Sequence, residues 1–179
     1  MKKNVLWVTQ TAAAIALLIV MQAVTAPLGN TLITGSIVNL ILVVSVMILG
    51  LPAGLTVSAV SPVFAKLLGI GPLGEIIPFI MLGNMVLVLL WHLIGKKSFA
   101  KQPLPHLTAG VIASVAKFLV LYGTIVKIAI PYLLRLPDGP AKAITATFSL
   151  PQLVTALIGS GVAIVILPLL QKALSQRSA

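Results

Sequence analysis

TGSIVNLILVVSVMILGL, residues 34–51, decides the fold class. The stretch carries no charge, and its few polar groups are single Thr, Ser and Asn residues. A helix needs roughly 20 apolar residues to cross the hydrocarbon core of a bilayer. Only helices and closed barrels satisfy every backbone polar group in lipid. The apolar residues here run together and do not alternate as barrel strands do. The stretch therefore reads as a transmembrane helix, ended by Pro52 and Gly54.

Five similar segments surround it. They are residues 5–26, closed by Pro27 and Gly29; 55–70, short and interrupted by Pro62; 75–94, closed by Gly95 and two lysines; 107–136, long and broken by Pro131; and 151–170. Pro and Gly mark the boundaries, as expected where helices stop. The expectation is an all-α membrane protein, a single integral membrane domain over residues 1–179 built as a bundle of six transmembrane helices. Composition agrees. The chain is 59% hydrophobic and 8% charged, with mean hydropathy +1.18. Soluble domains are about 45–50% apolar and about 25% charged. The N-terminus begins with lysines and an apolar run, and residues 22–26 imitate a cleavage site. The run is nonetheless long for a signal peptide.

Twelve Lys and Arg against two Asp and Glu give a formal charge of +10. No basic patch with interleaved aromatics exists, which argues against nucleic acid. The cations lie mainly at segment ends, where they set orientation and meet anionic lipid. An even helix count puts both termini on one side. Lys2, Lys3, Lys96, Lys97, Lys101, Lys172 and Arg177 share that side, against Arg135 and Lys142 opposite. Both termini are therefore expected in the cytoplasm of a multi-pass cell-membrane protein. The outer loops are then residues 27–33, 71–74 and 137–150.

Catalysis finds little support. The two carboxylates, Glu75 and Asp138, sit at segment edges, and His92 and His106 flank the inner loop. No metal-ligand spacing, P-loop, nucleophile elbow or dinucleotide fingerprint is present, and there is no cysteine. No catalytic residue, metal or cofactor is expected. Proton-coupled carriers bury a carboxylate mid-membrane, and no segment has one. No internal repeat of the inverted-transporter type is visible. Asn39, Asn84, Thr56, Ser58, Ser61, Ser114, Thr155 and Ser160 read as interhelical hydrogen-bonding groups. Lys117 and Lys127 are costlier in lipid and mark a polar cavity or snorkel to its edge. Ten residues apart, they are about 80° out of line and could border one cavity. Ala12 with Ala16, and Gly159 with Ala163, form small-xxx-small pairs that let another helix approach closely.

Six short helices, a basic start, the Ala12/Ala16 pair and the Pro/Gly-rich loop after it resemble the substrate-binding S components of energy-coupling factor (ECF) transporters. Residues 22–39 (QAVTAPLGNTLITGSIVN), 61–71 (SPVFAKLLGIG) and 78–84 (PFIMLGN) look like the vitamin-uptake members, and the likeness covers essentially the whole chain. The resemblance implies a vitamin bound from outside. It implies docking, through Ala12 and Ala16, on a membrane coupling subunit with two ATPases, which would hydrolyse ATP for a chain that is not itself an enzyme. It implies an outward cavity capped by residues 27–33 and walled by helices 4 to 6. The expected substrate-binding residues are Asn30, Thr31, Asn84, Tyr132, Arg135 and Gln152. The Gly-rich segments look most like cobalamin-type members, so cobalamin or a precursor is the favoured ligand. Pantothenate, folate, queuosine and similar solutes are the alternatives. Two other classes stand beside this reading: a structural membrane subunit without ligand, and a small membrane enzyme, which the scattered acids and histidines disfavour.

Overall fold

The computed structural model describes residues 2–70, 73–95 and 104–176, with side chains from Val5 onward. Among these residues every regular element is a helix. Helix α1 (Lys2–Thr25) leads through a 3-10 turn, Ala26–Leu28, into α2 (Thr31–Leu49). Helix α3 (Leu51–Leu67) follows at once, then a second 3-10 turn, Gly74–Ile76. Helix α4 (Ile77–Leu90) runs on as a π-helical segment, Trp91–Gly95. Helix α5 (Leu104–Leu121) does the same over Tyr122–Leu134, before α6 (Asp138–Thr147) and α7 (Leu150–Gln176).

Five helical runs are long and apolar enough to cross a membrane, and α3 is a shorter apolar helix. Its 17 residues span about 26 Å at 1.5 Å each, a little under the usual ~30 Å hydrocarbon core. The outer surface is apolar too, with Leu17, Val20, Leu119, Val165 and Leu169 all more than half exposed. An apolar exterior of this extent belongs in lipid. The chain is a membrane protein.

Two boundaries differ from the sequence reading. Pro52 starts α3 instead of ending α2, because proline is well placed in a helix's first turn, where its missing N–H costs nothing. Gly50, at φ 92°, is the single residue between the two helices, a conformation that glycine adopts freely. Residues 137–150, taken as a loop, contain the ten-residue helix α6. Pro62, Pro131 and Pro168 all lie inside helices.

Helices α2, α3, α4, α5 and α7 pack in a closed ring, each on the next, and α1 lies outside against α2 and α3. The α2–α7 seam is the closest. A Cβ on Gly159 would stand 2.7 Å from the Ser36 carbonyl oxygen and 2.9 Å from the Leu40 nitrogen. Ala163 is fully buried. The second small-residue pair thus serves packing within the chain. The apolar core occupies one half of the ring, where Leu42, Val43 and Val46 meet Leu87, Val88 and Trp91. A smaller cluster of Ile76, Leu121, Ile125, Ala129 and Phe148 lies toward α6.

Lys96, Lys97, Lys101, Arg177 and the side chains of Lys2 and Lys3, on which the expected orientation rests, lie outside the described residues.

Candidate functional site

The site is built from polar residues placed at mid-helix on three members of the ring, α4 and α5 side by side and α2 across from them. Asn39 lies near the middle of α2, Asn84 near the middle of α4, and Lys117 four residues before the end of the α-helical part of α5. Their side chains converge. Lys117 Nζ donates to Asn39 Oδ1 at 2.6 Å and to Asn84 Oδ1 at 2.7 Å. Each amide is held in turn: Asn39 Nδ2 donates to Thr155 Oγ1 at 3.3 Å, and Asn84 Nδ2 to the Ser58 carbonyl at 3.4 Å. The amide nitrogens therefore face α7 and α3, which turns both oxygens toward the lysine. All three side chains are buried, with Lys117 only 3% exposed.

This layer is the floor of a cavity of about 470 Å³. The cavity lies where α1 ends, α2 begins, α3 ends, and α4 and α7 begin, the end of the bundle opposite the chain termini. From Asn30 at the rim to Asn39 at the floor is nine residues, a depth of about 14 Å. Val38, Pro62, Ala65, Ile80 and Phe148 supply apolar wall; Gln22, Thr34, Ser61 and Gln152 supply polar groups. Among the described residues lining it, Lys117 is the one ionisable side chain. A largely apolar pocket with a few convergent polar groups is the usual form of a small-molecule site.

Four of the expected ligand residues line this cavity: Asn30, Thr31, Asn84 and Gln152. Asn30 also has a local task, since its Oδ1 accepts from the Leu32 N–H at 3.0 Å and caps α2. Gln152 Nε2 donates to the Thr147 carbonyl at 3.3 Å. Tyr132 and Arg135 do not line it. Tyr132 is 75% exposed, and Arg135, exposed and at φ 44°, ends the π-helical segment in a left-handed conformation. The wall expected from helices 4 to 6 is in fact shared by α1, α2 and α3. Lys127 does not share the cavity with Lys117. It is exposed and lies 5.5 Å from the Tyr122 ring centre, because α5 winds as a π-helix from Tyr122 and the 100° step no longer holds.

The sequence reading missed Asn39, Gln22 and Lys117 as one constellation. Its signal was present: each is polar in an apolar run, where an unpaired group is costly. Of the other polar groups, Ser114 and Ser160 bridge helices as expected, whereas the Thr56 and Ser58 hydroxyls bond within their own helix. Trp91 Nε1 donates to Ser160 Oγ at 3.2 Å, and Ser114 Oγ lies 3.4 Å from Ser160 Oγ. Thr56 bonds only its own helix, at the Pro52 carbonyl. Glu75 and Asp138 are exposed. His106 stacks on Trp91 with ring centres 6.2 Å apart. Among the described residues no group of His, Cys, Asp and Glu could hold a metal ion.

Ala12 and Ala16 are exposed, on the face of α1 turned away from the bundle. Comparison with protein-family models, with curated proteins and with solved structures finds no match to this chain.

Proposed function

We propose that the chain is the substrate-binding membrane subunit of an ECF-type importer, taking a small water-soluble solute such as a vitamin from outside the cell. The observation that supports this best is the cavity: about 14 Å deep by helix rise, apolar in its walls and closed by a hydrogen-bonded polar floor. A structural subunit has no use for such a space. In this reading the protein sits in the cell membrane with both termini in the cytoplasm, so that the cavity opens outward. The exposed Ala12/Ala16 face of α1 is the surface for a coupling subunit, and two partner ATPases hydrolyse the ATP. Small residues there let a partner helix approach closely.

The cavity volume bears on the ligand. Sites of about 300–1,000 Å³ take drug-sized molecules, and 470 Å³ lies in the lower part of that range. It favours a compact solute such as pantothenate over cobalamin, whose corrin ring would project through the mouth. The test is calorimetric titration of the purified full-length chain with pantothenate, folate, queuosine and cobalamin. Saturable one-to-one binding of a compact member is expected. No binding by any of them, with an unchanged melting temperature, would instead indicate a subunit without ligand.

A further inference from the structure

We propose that the cavity recognises an anionic solute, a carboxylate or phosphate set against Lys117, with an N–H or O–H donor elsewhere on the same molecule set against Gln22. This rests on the cavity being a solute site and names what it selects.

The argument begins with the lysine's surroundings. A buried charge is stable only when paired and hydrogen-bonded. Lys117 is hydrogen-bonded but not paired: its two partners are neutral amides. The chain has only two carboxylates, and both Glu75 and Asp138 are exposed at the ends of helices, outside the cavity lining. Amide oxygens orient an ammonium without cancelling its charge. An ammonium has three N–H donors. Two are taken by Asn39 and Asn84, and Lys117 lines the cavity, so the third is available to an acceptor there. An anion at that point would complete the charge and the hydrogen bonding together.

Gln22 gives a second, independent indication. It lies near the end of α1, lines the same cavity and is 4% exposed. Its Oε1 is buried with no hydrogen-bond partner among the described residues. A buried acceptor left unpaired is uncommon in folded proteins, and a donor on a ligand would satisfy it. The apolar wall of the same cavity, with Val38, Pro62 and Ile80, suits an aliphatic or aromatic middle. The solute so described is small, acidic at one end and hydrogen-bond-donating elsewhere. A cation would meet the Lys117 charge head-on.

The experiment titrates the full-length chain in detergent with matched acid and neutral pairs: pantothenate with pantothenol, biotin with biotinamide, and nicotinate with nicotinamide. In at least one pair the acid is expected to bind at least about tenfold more tightly, the equivalent of one full charge-assisted contact. The preference should collapse in Lys117→Met, while Gln22→Leu should weaken acid and neutral members alike. The unmodified chain's preference needs no variant, so it decides even if Lys117→Met folds poorly. Equal binding of acid and neutral members, or a preference that survives Lys117→Met, would overturn the proposal. A neutral or cationic binder from a wider vitamin panel would overturn it too, while leaving the binding-subunit reading intact. No binder in either panel would remove both.

Discussion

Asn39 and Asn84 hold a lysine at mid-bundle by their oxygens while α7 and α3 hold their nitrogens. Cutting one of these links leaves two groups short. Asn84→Ala removes the partner of Lys117 and of the Ser58 carbonyl, and an unsatisfied buried group costs about 1–3 kcal/mol. The ligand-free melting temperature is expected to fall by several degrees, and affinity for the solute by roughly ten- to a hundredfold. Asn84→Asp separates stability from recognition. It gives the ammonium a carboxylate of its own but leaves the Ser58 carbonyl without a donor, so the melting temperature should fall less than in Asn84→Ala while binding of an acidic solute is lost. Arg135→Ala, at an exposed site outside the cavity, should change the dissociation constant by less than about twofold. Lys117 and the two asparagines were each legible in the sequence as polar intruders in apolar runs. Their meeting at one nitrogen was not, because it depends on how α2, α4 and α5 rotate against each other. Tyr132 and Arg135 were chosen for nearness to a loop, and the π-helical winding of that stretch leaves both exposed.

At the scale of elements, the α2–α7 seam is the sharpest test of packing. Gly159→Leu would drive a side chain into the α2 backbone, whereas Gly161 has nothing within 4 Å of its Cβ direction. Overpacking typically costs about 1–3 kcal/mol. Gly159→Leu should therefore lower the melting temperature markedly, and Gly161→Leu should leave it nearly unchanged. Helix α1 makes a different claim. Ala12→Trp with Ala16→Trp alters a face that touches nothing in the bundle, so solute binding by the isolated chain should be kept. Uptake in cells carrying the coupling subunit and ATPases should be lost. Unchanged uptake would argue against docking through α1. The long apolar helices were legible because a run of about 20 apolar residues has few other readings. Helix α6 was not, because DGPAKAITAT opens with Asp, Gly and Pro, which signal turns and also open helices. Pro140 falls in the first turn, where backbone N–H groups have no partner in the helix to lose.

For the whole molecule, the apolar exterior and the polar floor divide the ring into two halves. Below the Lys117 layer the bundle is a packed apolar core with Trp91 fully buried. Above it is a cavity that must hold water when no solute is present, since its lining includes Thr, Ser, Asn and Gln side chains. In the proposed orientation, which rests on seven basic residues against two, the open half faces outside. The natural chain has no cysteine, so single cysteines report position without background. Thr34 lines the cavity near its mouth, and Ser175 lies in the last turns of α7, at the opposite end of the bundle. The decisive measurement is labelling of Thr34→Cys and Ser175→Cys in intact cells with a membrane-impermeant maleimide. Thr34→Cys should react from outside, and Ser175→Cys only after the membrane is permeabilised. A Thr34→Cys that resists the reagent from both sides, or reacts only after permeabilisation, would contradict an outward, water-filled binding cavity.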